Sequence, residues 1–209
     1  YEFSMTAGHS LGEFSALFAA GVLSFEDALS IVKVRSEGMQ AAGESQTGTM
    51  AAILNMSRKD ITKVCKHASL RGIVQAANYN SPGQIVISGE TVAVHYAMEI
   101  AKNLGARKAL ALNVSGAFHS PLMAPAKDDL SVIIEKTKFK KAKVPVVANV
   151  DASPTSDPAK IKNNLIEQLE NPVLWEDTVQ YMVKDGVEEI VEIGPGKVLQ
   201  GLVKRIHRD

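Results

Sequence analysis

Along the whole chain the apolar residues switch between a period of 2 and a period of 3.6, and each switch falls at a short Gly, Pro or Asn cluster. A chain that keeps alternating in this way is neither a helical bundle nor a β-sandwich; it is mixed α/β. Tyr1, Phe3, Met5 and Ala7 alternate with other residues like the end of a strand, and Gly8-His9-Ser10-Leu11-Gly12 turns into an Ala-rich helix that stops at Gly21. Ser24-Phe25-Glu26-Asp27 has the form of a capping box, which predicts a helix to about Ala42. Its core stripe is Ala28, Ile31, Val32, Arg35 and Met39, so an arginine lies within the apolar face.

The middle of the chain predicts strand Met50 to Asn55, helix Lys59 to Ala68, strands Ile73 to Asn78 and Gln84 to Ser88 joined by Asn80-Ser81-Pro82-Gly83, helix Val92 to Leu104, and strand Ala106 to Leu112. This βαββαβ order is the ferredoxin-like pattern, here inserted as residues 48–113. Residues 1–47 and 114–209 form the larger unit, whose expected architecture is α/β-hydrolase-like with a parallel sheet. Its second part predicts a loop holding Phe118-His119-Ser120-Pro121, a helix to about Lys136, a strand around Val144 to Val150 and a polar Pro-containing turn. A helix capped by Asp157 with Pro158 follows and ends at Asn171-Pro172; then come a helix around Trp175 to Lys184, a strand Val187 to Ile193, the turn Gly194-Pro195-Gly196 and a short basic helix.

Composition narrows the function. Lys and Arg number 23 and Asp and Glu 23, so the formal net charge is zero, which argues against a dedicated nucleic-acid binder. The longest apolar run, Ala16 to Leu23, is far short of the ~20 residues that span a bilayer. A lone cysteine, Cys65, excludes an internal disulfide framework and fits a reducing compartment. A globular protein results, with no metal cluster and no membrane span expected. A cytoplasmic location is expected, and because the chain begins at Tyr1 without an initiator Met an organellar one is left open.

Gly8-x-Ser10-x-Gly12 between a strand and a helix is a nucleophile-elbow arrangement, which lifts Ser10 Oγ clear of the sheet and aims the Leu11 N–H at an oxyanion forming there. Such a five-residue pattern also arises by chance; the strand-to-helix context and Glu13 beside it strengthen the reading. Five histidines could serve as the base. His119 lies in a small-residue loop ahead of a helix opened by Ser120-Pro121, whose N-terminus would disfavour the imidazolium. The rival is His207, with Asp151, Asp177 or Asp185 to orient it, as in an ordinary hydrolase. Arg35 in an apolar stripe is costly unless an anion meets it or its head reaches water, and its planar fork suits a carboxylate. Gln168, beside Leu165 and Leu169, could equally be a half-exposed surface residue. Arg107-Lys108, the run Lys136 to Lys143 and Lys204-Arg205 are local basic clusters.

GHSLGE at Gly8 to Glu13, Arg35 with Met39, Asn78-Tyr79-Asn80-Ser81-Pro82-Gly83-Gln84, Phe118-His119-Ser120-Pro121-Leu122-Met123, Gln168-Leu169 ahead of Asn171-Pro172-Val173, and Gly194-Pro195-Gly196-Lys197 together resemble the malonyl-CoA:acyl carrier protein transacylases. The resemblance covers essentially the whole chain. It implies that Ser10 accepts the acyl group, His119 is its base, Gln168 orients the histidine through a carbonyl, and Leu11 supplies one oxyanion-hole amide. It further implies that Arg35 binds the malonyl carboxylate, that His9 and Phe118 accompany malonyl selectivity, that Met39 belongs to the same substrate site, and that Asn78 and Asn80 line the cleft between the two units.

Family members carry a long segment ahead of the serine motif with a second oxyanion donor, whereas nine residues precede Ser10 here; the expectation is that this segment is absent. The implied reaction moves a malonyl group from coenzyme A to the phosphopantetheine thiol of acyl carrier protein in fatty acid biosynthesis, without a resident cofactor. A monomer is expected. Arg107, Lys108, Lys204 and Arg205 are candidate docking residues for the acidic carrier. Two alternatives stand beside this reading: a serine esterase or thioesterase using His207, and a truncated, non-catalytic module that binds carrier protein.

Overall fold

The computed structural model describes residues Glu2 to His207, so Tyr1 of the expected first strand lies outside the described residues. The first unit opens with β1 (Thr6–Ala7), α1 (Gly12–Ala19) and α2 (Phe25–Ser45). Ser24 caps α2 by accepting the Asp27 N–H at 3.0 Å, and the helix buries Ala28, Ile31, Arg35, Met39 and Ala42. That face meets α5 (Ala124–Lys136), α1 and α6 (Pro158–Glu167) around Leu17, Ile31, Leu130, Ile134, Leu165 and Leu169. Asp157 caps α6 through the N–H groups of Ala159 and Lys160, with Pro158 at the first helical position where no donor is needed.

The inserted unit follows the βαββαβ order. Its elements are β2 (Gly48–Leu54), α3 (Arg58–Ala68), β3 (Val74–Ser81), β4 (Gln84–Glu90), α4 (Thr91–Asn103) and β5 (Lys108–Ala111), and the antiparallel sheet runs β3-β4-β2-β5. Alternation divides the strands between two faces. Ile53, Ile85 and Ile87 pack under α3 and α4 with Ile61, Val64, Val94 and Ala97, while Met50, Ala77 and Val86 form the opposite face, against which Phe118 packs. β3 reaches Ser81, so the hairpin loop is only Pro82-Gly83, with Gly83 at φ +71°. Register shifts between Ala76 and Asn78 and between Tyr79 and Ser81 bend β3 where it passes the larger unit.

The second part of the larger unit holds β6 (Val146–Val147), β7 (Pro154–Thr155), α7 (Trp175–Lys184) and α8 (Val198–Ile206). Its sheet is short: β1 pairs parallel with β6, and β6 antiparallel with β7, two residues each. β7 arises inside the segment expected to be only a turn. The predicted strand Val187 to Ile193 is not formed. An extended segment becomes a strand only when a neighbour pairs its N–H and C=O groups. No described strand does so here, and Ile193 stays 92% exposed. No described helix is long and apolar enough to cross a membrane.

Among the contacts that join the units, two involve β3 and α3. The edge of β3 bonds to the segment before α7, Tyr79 N to Val173 O and Val173 N to Ala77 O, both at 2.9 Å. Arg58 at the start of α3 reaches α7, donating to Asp177 at 2.8 and 3.0 Å and to Glu176 at 2.9 Å, with its guanidinium 4.6 Å from the Tyr79 ring centroid. The side chain is 39% exposed, so its ion pairs are screened by solvent. Arg58→Ala is expected to cost about 1 kcal/mol in equilibrium denaturation at low salt, a difference that shrinks at roughly 1 M salt.

Candidate active site

The turn between β1 and α1 holds Ser10 with its backbone at φ 53°, in the left-handed region that costs a non-glycine residue on the order of 1–3 kcal/mol. Asn149, just after β6, accounts for its persistence. Asn149 Oδ1 accepts the Ser10 N–H at 2.7 Å and its Nδ2 donates to Gly8 O at 2.6 Å, clamping the turn on both sides of the serine. Gly8 is a steric requirement of the same turn, because a Cβ there would lie 1.9 Å from Gly12 O. At Gly12 a Cβ would meet nothing within 4 Å, so the two glycines of the motif differ in kind.

Ser10 Oγ lies 2.8 Å from His119 Nε2, and His119 Nδ1 lies 2.8 Å from the main-chain oxygen of Gln168. A carbonyl can only accept, so Nδ1 carries the ring proton and donates it to Gln168 O. Nε2 is left as the acceptor for the serine hydroxyl. His119 is also in left-handed backbone, φ 56°. Its carbonyl is pinned by Gln75 of β3, whose Nε2 donates to His119 O at 2.9 Å and to Glu170 O at 2.8 Å. Close crossing of α2 under the preceding loop adds to this: a Cβ on Gly43 would come within 2.4 Å of Ser115 O.

Burial pushes the His119 pKa down to about 4, with the positive charge of Arg35 acting in the same direction. The helix terminus expected to keep it neutral is a different matter. Ser120 does cap the turn that follows, but Pro121–Met123 is a three-residue 3₁₀ turn, and desolvation is the dominant cause.

Arg35 points from the middle of α2 into the same place. Its Nη2 donates to Ser10 Oγ at 2.9 Å and to Gln168 Oε1 at 3.1 Å. The arginine is 5% exposed, and its Nε is buried without a hydrogen-bond partner among the described residues. Desolvation lowers its pKa only to about 10, so the guanidinium is charged at neutral pH. A buried cation with an unpaired donor is incomplete, and an incoming carboxylate would complete it. Gln168 is 1% exposed, not a surface residue. Beyond Arg35 and His119, its Nε2 donates to Glu13 Oε2 at 2.7 Å and to Ser10 O at 3.1 Å.

Among the described residues no acceptor takes the Leu11 N–H, which leaves it available at the elbow. His9 lies within 2.8 Å (Nε2) of Asn80 Oδ1 and packs beside Trp175, ring centroids 5.7 Å apart. Asn78 is buried beside the β3 bend and makes no side-chain hydrogen bond among the described residues. Phe118 bridges the core under α2 and the inner face of the inserted sheet, while Met39 is a core residue of α2. The rival base is not assembled. His207 is exposed at the end of α8, Asp177 pairs with Arg58, Asp185 accepts from Tyr181, and Asp151 pairs with Lys160. The exposed Arg107, Lys108, Lys204 and Arg205 converge at one end of the inserted sheet. Leu54 pairs with both Lys108 and Gln84, and Arg205 donates to Gln84. No group of metal-binding side chains occurs among the described residues.

Asn149 and Gln75 were not found by sequence reasoning, and Glu13 only as part of a motif. Glu13 carried a signal, a carboxylate three and four residues before the buried Ala16 and Leu17 on one helix face. Asn149 and Gln75 carried none that separates them from a strand terminator and a solvent-facing strand residue.

Exchanging the two glycines separates their roles. Gly8→Ala is expected to abolish cooperative folding of the elbow, and Gly12→Ala to raise stability by up to about 1 kcal/mol in thermal denaturation. For His119 the folded pKa is below the ordinary 6.5, so below that pH the unfolded chain binds a proton the folded one refuses. The His119 contribution to stability is therefore expected to fall from pH 6.5 toward pH 4; buried Glu13, with its pKa raised to about 7, contributes with the opposite sign in wild type and variant alike, so in urea titrations the stability of the wild type relative to His119→Asn should fall across that window.

A family model for the acyl transferase domain matches residues 4–209. The malonyl CoA-acyl carrier protein transacylase of Bacillus subtilis is 49% identical over 204 residues, covering 97% of this chain and 64% of that protein. For the protein of the same name from Escherichia coli K12 the figures are 47% over 203 residues, 97% and 66%. Among solved structures, an acyl-carrier-protein S-malonyltransferase from Burkholderia pseudomallei superimposes with a TM-score of 0.96 at 45% identity, covering 100% of this chain and 68% of the other. A type II PKS acyl-carrier protein in complex with its malonyl-transacylase gives 0.95 at 44% identity, covering 100% and 67%. The chain thus spans about two thirds of the length of the relatives it matches.

Proposed function

The chain belongs to the acyl transferase domain family, and from that membership we propose that it transfers a malonyl group from coenzyme A to the phosphopantetheine thiol of an acyl carrier protein through an ester on Ser10, as a step in fatty acid biosynthesis. The observation that carries the reading is a single oxygen with two partners: Ser10 Oγ faces the free nitrogen of a neutral histidine and a buried guanidinium at once. The histidine can take the hydroxyl proton, and the cation favours both an alkoxide and an acyl group that ends in a carboxylate.

In the first step Ser10 Oγ attacks the thioester carbonyl carbon while its proton passes to His119 Nε2. The oxyanion lies at the Leu11 N–H. The carbon–sulfur bond then breaks, and coenzyme A leaves as its thiol after taking the proton from His119. In the second step the carrier's thiol gives its proton to His119 Nε2 and its sulfur attacks the ester carbonyl; the bond from that carbon to Ser10 Oγ breaks, and the proton on His119 passes to Oγ, restoring the serine and the neutral histidine. A thiol of pKa ~8.5 is a good leaving group, so the histidine needs only a carbonyl to hold its tautomer. A carboxylate in the place of Gln168 O would repel the malonyl carboxylate that Arg35 binds.

His9, Asn78, Asn80 and Phe118 would border the acyl and pantetheine chains. Arg107, Lys108, Lys204 and Arg205 would guide an acidic carrier to one end of the inserted sheet. A cytoplasmic setting belongs to the proposal and rests on the bacterial source of the relatives.

Mass spectrometry after incubation with malonyl-CoA tests the reading: a malonyl adduct is expected on Ser10, and it should move to added holo acyl carrier protein. Absence of any adduct would overturn it, as would retention by His119→Ala with loss in His207→Ala. Arg35→Ala is expected to lower malonyl transfer by about 10²-fold, the worth of a charge-assisted pair, and to spare acetyl transfer.

A further inference from the structure

We propose that Glu13 is a positioning residue which, through the side-chain amide of Gln168, orients and partly neutralises Arg35, and so governs how strongly the site prefers acyl groups that carry a carboxylate. The inference rests on the acyl-transfer reading above and adds to it a residue that touches neither the nucleophile's oxygen nor its base.

The geometry is a chain of three side chains. Glu13 Oε2 accepts from Gln168 Nε2 at 2.7 Å, and Gln168 Oε1 accepts from Arg35 Nη2 at 3.1 Å. One amide therefore lies between a carboxylate and a guanidinium, its N–H end on the anion and its C=O end on the cation. Turning it over would set oxygen against carboxylate and NH₂ against guanidinium, so the two charges fix its orientation. All three side chains are buried, with Glu13 2% exposed, and there such a polarised chain is strong and a broken one costly. Glu13 Oε2 also accepts the Asn149 N–H at 3.3 Å, which ties the same carboxyl to the residue that clamps Ser10.

The second consequence concerns charge. With Glu13 ionised, an arriving acyl carboxylate puts two anions around one guanidinium; with Glu13 protonated, the substrate meets Arg35 alone. Burial holds the Glu13 pKa near 7, and among the groups that face it Asp151 raises it while Arg35, Gln168 and Asn149 lower it. His119 and His9 are nearby and both have lowered pKa values, hence neutral. Binding of a carboxylate at Arg35 and binding of a proton at Glu13 should favour each other, by the reciprocity of linkage. The sign is fixed: the preference for malonyl over acetyl is highest below pH 7 and falls above it.

The experiment measures Ser10 acylation by malonyl-CoA and by acetyl-CoA from pH 6 to pH 8, in the wild-type chain and in Glu13→Gln, taking the malonyl-to-acetyl ratio of kcat/KM. Titration of His119 affects both substrates and cancels in the ratio. In the wild type the ratio is expected to fall by about three- to tenfold as pH rises, one pKa unit of coupling being tenfold. In Glu13→Gln, whose side-chain oxygen can still accept from Gln168, it should stay flat. A flat wild-type ratio overturns the inference even where the variant fails to fold. A variant that keeps the wild-type slope, or slows both substrates equally without changing it, overturns it too. A wild-type chain that takes acetyl but not malonyl, or neither, overturns the malonyl-transfer reading itself, a result distinct from all of these.

Discussion

Gln168 is the point on which the rest of the site turns. Its main-chain oxygen holds His119 Nδ1, its amide nitrogen holds Glu13 and the Ser10 carbonyl, and its amide oxygen holds Arg35. Three chain segments far apart in sequence, the elbow with Ser10 and Glu13, α2 with Arg35 and the loop with His119, thus share one residue at the C-terminal end of α6. A helix end is suited to this, since its last carbonyls lack partners within the helix and are available to donors from elsewhere. The helix stops at Glu167, ahead of Pro172, and so presents Gln168 to the loop that carries His119. Moving Gln168 would move the base, the cation and the nucleophile's backbone together.

The strain in the site is held chiefly by polar contacts, with close packing of α2 under the His119 loop in support. Ser10 and His119 both sit at positive φ without being glycine. Each is gripped by an amide side chain from another element: Asn149 holds the turn around Ser10, and Gln75 holds the His119 carbonyl. Gln75 comes from the inserted sheet, so that unit takes part in shaping the base as well as covering the site. The β3 edge joined to Val173 and the Arg58 pairs to α7 keep the sheet where Gln75 can reach. The fold of one unit and the chemistry of the other are therefore not separable.

What could be read from the sequence, and what could not, follows from where the information lies. Arg35 was visible because it interrupts the stripe of Ala28, Ile31 and Met39, and the βαββαβ order because each element carries its own period and punctuation. His119 was visible as a loop histidine, but the reason for its neutrality was not, since burial depends on β3, α2 and α6 closing over it. The contribution of Gln168 to the base is a backbone carbonyl, which has no side-chain signature at all. Residues 187–193 show the opposite failure: an apolar pattern good enough for a strand, without a described partner to make it one.

The least complete group in the site also tells most about its ligand. A buried guanidinium is stable when its donors are matched, yet Arg35 Nε has no partner among the described residues while Nη2 is shared between a neutral amide and a hydroxyl. Placing Glu13 in direct contact with Arg35 would have satisfied the cation and left nothing for a substrate to complete. With an amide interposed, the carboxylate stays close enough to steady the charge and too far to occupy the fork. The fork is thus kept for an anion from outside, next to the oxygen that must attack. An acyl group bearing a carboxylate two bonds from its carbonyl carbon is the ligand for which both halves of that arrangement serve a purpose.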